Sequence, residues 1–353
     1  MEKEIFLQII NTAINAPSGE NSQPWRFVCK NNFIEVYNLP DRDNPIYNFK
    51  QHGSLFAHGA LFENISIIAS SLGLKVDIDI IIDYTTNLIA RIHLNKKENE
   101  SQYPTLISSI NKRATNRKKY DNKEISEDIL KSFYDIVKSD DSVDVYFIDK
   151  QKNRDRMARV FSLNDMITLE DKKLHNVFFE HIRWNKEEEQ KYKNGLFLDT
   201  LELAPPQEKI FTLLKNPKIA FFFRKIRLTK FIAHENAKVY ASSPLFISFV
   251  IKNNEENYIR AGMLAERIWL QAIHHGLSCQ PLAALPYLYD RISHDNKHYF
   301  SDYHKEIIIS SYHDMCELLR ISTDEMVAMT FRIGFASPPR AYSSKMQPDI
   351  DFV

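Results

Sequence analysis

Glycine is scarce in this chain, eight among 353 residues. The eight never gather into Gly-x-Gly-x-x-Gly or a P-loop, so neither a Rossmann dinucleotide turn nor a glycine-built phosphate cradle is available. Cysteine is equally sparse. Cys29, Cys279 and Cys316 are odd in number and far apart, with no Cys-x-x-Cys pair and no Cys/His cluster at zinc spacing. That pattern speaks against a disulfide framework and for a reducing compartment. His-Glu-x-x-His is absent too, and no metal site is expected. No run of about 18 apolar residues occurs, and Met1-Glu2-Lys3-Glu4 carries acids where a secretory signal needs positive charge. A cytoplasmic location without stable membrane insertion is therefore expected. Net charge is missing as well: Lys plus Arg and Asp plus Glu both count 46. Nothing in that balance favours nucleic acid, and the expected partner is a small molecule.

What the chain does have is length for one large or two ordinary domains and a loop of unusual composition, Ala16-Pro17-Ser18-Gly19-Glu20-Asn21-Ser22-Gln23-Pro24-Trp25-Arg26-Phe27. Pro17 and Pro24 fix their own φ and push the preceding residue toward extended conformations. Ser18, Asn21, Ser22 and Gln23 then offer mixed donors and acceptors on a stiff frame, which suits the edge of a planar heterocycle such as a flavin. The same composition also suits an ordinary turn backed by Trp25.

Around this loop, Phe6, Ile9, Ile10, Ala13 and Ile14 form the stripe of an amphipathic helix over 3–15. Two β-prone runs over 26–37, parted by Asn31-Asn32, read as a hairpin. Residues 54–72 have helical spacing and stop at Gly73-Leu74, and 76–82 and 88–94 read as paired strands. Gly59 through Leu74 aligns without a gap on Gly262 through Leu277, with identity at Gly59/Gly262, Leu61/Leu264, Glu63/Glu266, Ile65/Ile268, Ala69/Ala272, Gly73/Gly276 and Leu74/Leu277. That self-similarity predicts a duplicated fold. A polar linker is expected over 96–105. A helix capped by Ser126 is expected after it, and a core strand over 329–336.

A second motif is Arg113-Ala114-Thr115-Asn116-Arg117. On a helical or turn-like backbone its two guanidinium groups project from one side, and with the Thr115 hydroxyl they suit a phosphate dianion. Read as residues alone, the surrounding basic run also fits a solvated face. His274-His275 is read as a helix end, where imidazolium suits the dipole.

Pro17, Ser18 and Asn21 through Trp25 resemble the Pro-Ser-Ser-x-Asn-Ser-Gln-Pro-Trp signature of the nitroreductase family, flavoenzymes that bind FMN at a dimer interface, with Gly19 in place of the second serine. Arg113 to Arg117 resembles that family's Arg-x-Ser-x-Arg segment, which binds the FMN phosphate and ribityl chain. Here the arginine segment follows the serine-asparagine motif instead of preceding it. That order matches the long, fused branch of the family, resembling the mycobacterial Acg-type proteins, in which both halves of the dimer lie on one chain.

The resemblance implies an α+β fold of two fused nitroreductase-like halves, an intrachain pseudo-dimer in which each half is a mixed or antiparallel sheet flanked by helices. The first half is expected over 1–100 and the second over 106–345, with a helical insert or lid at about 155–240. Because each motif occurs once, one FMN per chain is expected between the halves. Its ligands would be Pro17, Ser18, Asn21, Ser22, Gln23, Arg113, Thr115, Arg117 and, against the reactive edge of the flavin, Gln280, Pro281 and Leu282. Family tails often supply a basic residue to the phosphate, a role open here to Arg340 or Lys345, although the usual Pro-Arg-Arg ending is missing.

The implied activity is an FMN-dependent oxidoreductase that moves electrons from NAD(P)H to a small organic acceptor, nitroaromatic- or quinone-like. The flavin N5 would carry the chemistry, with no catalytic side chain. The alternative is a flavin-storage protein with little turnover. Either a monomeric pseudo-dimer or a homodimer is compatible. In the insert, the aromatic and basic run from Lys218 to Phe231 reads as a basic-edged packing helix or as a helix lying on an acidic membrane surface.

Overall fold

The structure, a computed structural model, describes residues 1–96, 106–138, 140–295 and 299–353. The linker expected over 96–105 lies outside the described residues, apart from Lys96 at the end of a strand.

The chain opens with α1 (Lys3–Ala13), which buries Phe6, Ile9, Ile10 and Ala13 as its periodicity requires. The hairpin β1 (Trp25–Lys30) and β2 (Phe33–Asn38) turns through Asn31 at φ 46°. Helix α2 (His52–Ser71) is buried nearly all round and ends where Gly73 takes φ 73°. Strands β3 (Leu74–Asp83) and β4 (Leu88–Lys96) follow. One helical turn, α3 (Ile107–Ile110), leads to α4 (Glu127–Val137) and β5 (Val143–Ile148).

Next comes a run of mostly helical elements: α5 (Gln151–Glu170), α6 (Lys172–Glu180), β6 (Ile182–Arg183), α7 (Lys186–Tyr192), β7 (Leu196–Phe197), α8 (Pro205–Leu214), α9 (Pro217–Lys225) and α10 (Leu228–Ala241). The chain then returns to sheet through β8 (Leu245–Lys252), α11 (Glu255–His274), β9 (Ser278–Leu282), α12 (Ala284–His294), α13 (Asp302–Leu319), β10 (Glu325–Gly334) and β11 (Asp349–Phe352).

Two sheets carry the fold, one ordered β11-β1-β2-β4-β3 and the other β5-β8-β10-β9. Without β11 the two orders are the same: opening strand, strand before the long helix, closing strand, strand after the helix. Neighbours within both four-strand sets run antiparallel. The helices α5 to α10 sit between β5 and β8, where the first sheet has only the tight turn between β1 and β2. Strand β11 leaves the second sheet's end of the chain and pairs in parallel with β1, Arg26 opposite Asp349 and Cys29 opposite Phe352, so the first sheet is mixed.

The two sheets are joined by α2 against α11, the helices whose sequences align. A Cβ on Gly59 would strike the carbonyl oxygen of Ile259, and a Cβ on Gly262 would strike that of Phe56. The contact is reciprocal, each glycine meeting the residue three positions before the other. Only a residue without Cβ allows two helix backbones this close. One continuous apolar core runs through both sheets and this helix pair, and a smaller one, built on Phe179, Leu214 and Ala220, fills the helical insert.

Candidate functional site

The loop from Ser18 to Gln23 is stiffer than its prolines alone would make it. Glu20, Asn21 and Gln23 all take positive φ, 46°, 56° and 51°, and each such non-glycine residue costs roughly 1–2 kcal/mol. Hydrogen bonds within the loop and from two distant parts of the chain hold the strain. The Gln23 backbone N–H donates to Ser18 Oγ at 2.9 Å, its side-chain Nε2 to the Lys193 carbonyl at 2.8 Å, and the Met346 N–H donates to Gln23 Oε1 at 2.8 Å. Asn21 Nδ2 donates to the Ser344 carbonyl at 3.0 Å, while Lys345 Nζ donates to Asn21 Oδ1 at 3.0 Å. The loop is thus the point where the insert and the C-terminal tail meet. Trp25 lies buried behind it, edge-on to His58.

The arginine segment is not helical. Thr115 forms a single parallel bridge with Cys279 of β9, and the Asn116 N–H donates to the Cys279 carbonyl at 2.9 Å. Arg113 still closes the turn of α3 through its N–H to the Ser109 carbonyl, and Arg113, Thr115 and Arg117 all line the same cavity. The segment expected to grip phosphate is bonded to Ser278 and Cys279, the residues just before Gln280-Pro281-Leu282. Arg332 of β10 secures this junction. It is fully buried, donates through Nε to Gln280 Oε1 at 2.6 Å and through Nη2 to the Lys118 carbonyl at 2.8 Å, and lies over the Tyr120 ring. Sequence reasoning missed it, although a lone cation inside the apolar run Met329–Ala336 was the available signal.

Pro17, Ser18, Asn21, Arg113, Thr115, Arg117, Gln280, Pro281, Leu282 and Lys345 all line one cavity of about 1010 Å³. Ser22, Gln23 and Arg340 do not line it. Ser22 and Gln23 are buried in the loop itself, and Arg340 donates to the Leu203 carbonyl and faces Glu202 and Glu208.

The electrostatics of the cavity are lopsided. Arg113 stacks on Trp269 and lies 3.3 Å from Glu266 Oε1, too poorly aligned for a hydrogen bond. Burial pushes the Glu266 carboxyl up to about 7, with Arg113 opposing the shift. Burial, aided by Arg113, pulls the Lys345 ammonium down to about 7. Arg117 donates to the Thr200 carbonyl at 2.8 Å, and among the described residues no carboxylate stands within ion-pair distance of it. Burial and the neighbouring Arg332 both depress its pKa. Arg113 and Lys345 thus act on Glu266, while Arg117 stands among Arg332, Glu202 and Asp165. Glu20 and Asp43, missed by the sequence reading, line another part of the cavity. Burial pushes Glu20 up to about 8, with Asp43 adding to the shift, and pushes Asp43 up to about 6. Arg113 Nε, Trp269 Nε1 and Tyr287 Oη belong to lining residues and are buried without a hydrogen-bond partner. Groups left this way favour a ligand that supplies the partners.

The chemistry present excludes little else: among the described residues no group of three or more His, Cys, Asp or Glu is placed to hold a metal. No helix among them is long and apolar enough to cross a membrane.

Comparison of structures shows a nitroreductase-like fold for this α+β chain of two like-ordered sheets. A nitroreductase candidate from Anabaena variabilis superposes with a TM-score of 0.50 at 10% identity, covering 95% of this chain and 88% of its own. The FMN-dependent nitroreductase NfnB from Mycobacterium smegmatis, solved in complex with NADPH, is 14% identical, covers 66% of this chain and 88% of its own, and has a TM-score of 0.37. Among curated sequences, an uncharacterized protein of Mycobacterium tuberculosis is 22% identical over 343 residues, 96% of this chain. This chain spans 46% of that relative's length. No family model matches the chain.

Proposed function

We propose that this chain is an oxidoreductase that holds one FMN in the cavity between its halves and passes electrons from NAD(P)H to a nitroaromatic- or quinone-like acceptor. The observation that carries the reading is Arg117: a half-buried guanidinium facing the cavity, with one carbonyl partner, the Arg332 cation beside it and no carboxylate in ion-pair contact among the described residues. Such a group is costly unless an anion completes it. The cavity matches the upper range of small-molecule sites, about 300–1,000 Å³, and the unpartnered donors of Arg113, Trp269 and Tyr287 fit a ligand rich in acceptors.

Arg113, Arg117 and Lys345 would hold the phosphate, with Thr115 adding a hydroxyl. Ser18 and Asn21 would meet the polar part of the cofactor, and Pro281 and Leu282 would bound its reactive face. Gln23 and Ser22 act one step back, shaping the loop. Bound there, FMN supplies hydride acceptance and electron transfer, so no acidic or nucleophilic side chain is required of the protein. The shared strand order and the reciprocal glycine contact support a duplication. We divide the chain into halves at 1–100 and 106–345, with an insert at about 155–240.

The test is the visible spectrum of the purified protein after FMN addition, followed by anaerobic NADH or NADPH. Flavin bands that bleach support the reading. Flavin retained without bleaching supports storage, and a protein that binds no FMN overturns both.

A further inference from the structure

The insert carries a local charge imbalance on exposed helices. From residue 209 to 234 there are Lys209, Lys215, Lys218, Arg224, Lys225, Arg227 and Lys230 and no acid, in a chain whose formal net charge is +0. The nearest carboxylates on either side are engaged, Glu208 by Arg340 and Glu235 by Lys238. On the same mutually packed helices, α8, α9 and α10, large apolar side chains face outward: Phe221 is 49% exposed, Phe222 57%, Ile226 54% and Phe231 60%. The inner contacts of α9 and α10 fall to Ala220, Phe223, Thr229 and Ala233. The segment spans α9 and the start of α10, and of its four phenylalanines only Phe223 packs inward, which leaves three free for another surface.

We propose that this face of the insert docks on an anionic lipid bilayer. The composition is that of an interfacial amphipathic surface, phenylalanine and isoleucine interleaved with lysine and arginine. Arg224 and Lys225 both lie over the Phe221 ring, 4.9 Å from its centroid, so charge and apolar area occupy the same patch. A second copy of this chain fits poorly, since two such faces brought together would set like charges against each other. An acidic protein or nucleic acid would satisfy the charge and leave the outward Phe222 and Ile226 without a role.

The patch also adjoins the cavity. Ile210 and Phe231 are exposed and line it, which places them at its rim. If the FMN reading holds, an apolar acceptor dissolved in the bilayer would enter there. The docking itself does not depend on that reading.

Flotation of the full chain, with no flavin added, on phosphatidylcholine vesicles and on an equal mixture with phosphatidylglycerol tests the proposal. Binding to the mixed vesicles, little to the neutral ones, and loss at high salt are expected. The combined variant Lys218→Glu, Lys225→Glu, Lys230→Glu should weaken binding by about 100-fold or more, and Phe221→Ser, Phe222→Ser, Ile226→Ser by about tenfold or more. Both alter exposed residues, and a melting curve checks their folding. Absence of vesicle binding overturns the proposal. So does a phenylalanine variant that binds like the parent, which would assign the charge to an acidic macromolecule. A dimer dissolved by that variant would assign the face to a second copy. Since vesicle binding is read without flavin, its failure leaves the oxidoreductase reading untouched, and the reverse.

Discussion

Arg117 and Arg113 look alike in the sequence and differ in the structure, and their variants should separate the two roles. Arg117→Met should weaken FMN binding by about 10- to 100-fold, the loss of charge-assisted hydrogen bonds worth ~1.5–3 kcal/mol, while costing the flavin-free protein only the single part-buried hydrogen bond to the Thr200 carbonyl. Arg113→Met should weaken both, since Glu266 loses its counter-charge. Fluorescence titration and thermal melts of the same samples check the pair. The acids add a pH signature. Glu266 and Glu20 hold their protons up to about 7 and about 8 in the folded chain, against 4.5 ordinarily. Their stabilising contribution is full below pH 4.5 and is lost as pH rises through those values. Lys345 is depressed from 10.5 to about 7, so its contribution is restored as pH climbs from about 7 to 10.5. Compared with the parent, Glu20→Gln should therefore lessen the fall in melting temperature of the flavin-free protein between about pH 5 and 8, while His304, raised to about 9 against its burial by Asp171 and Glu170, keeps its own fall over pH 6.5–9 in both. None of this was legible in the sequence, where Glu20 and Lys345 have no neighbours that reveal their burial.

At the scale of elements, the helix pair α2 and α11 is the piece most fully written in the chain. Its periodicity, its glycine stops and its self-similarity are all local patterns. Gly59→Ala and Gly262→Ala each force a methyl into a facing backbone carbonyl, which should cost about 3 kcal/mol. Gly73→Ala meets open space but keeps φ 73°, and should cost only about 1–2 kcal/mol. Denaturant midpoints compare the three, and equal losses would mean that the crossing relaxes. The arginine segment was legible as a motif but not as an element. It is extended because β9 offers it hydrogen bonds at Cys279, a partner more than 160 positions away.

For the whole molecule, the two like-ordered sheets predict one flavin per chain, because the loop at Ser18 and the segment at Arg113 each occur once and face one cavity. A titration that saturates at two would overturn the composite site. Which parts were readable from residues alone follows from the range of the forces. The sequence by itself determined the helices, the hairpin, the repeated glycine helix and the two flavin-like motifs, since periodicity, backbone restriction and side-chain chemistry act over a few residues. The tertiary structure alone decided that β11 crosses to the first sheet and carries Lys345 into the cavity, that Gln23 spends its amide on Lys193 and Met346 instead of lining the cavity, and that α9 and α10 turn Phe221, Phe222 and Phe231 outward. Each of those depends on which distant surface is nearby to hydrogen-bond or to exclude water, and no local pattern encodes that.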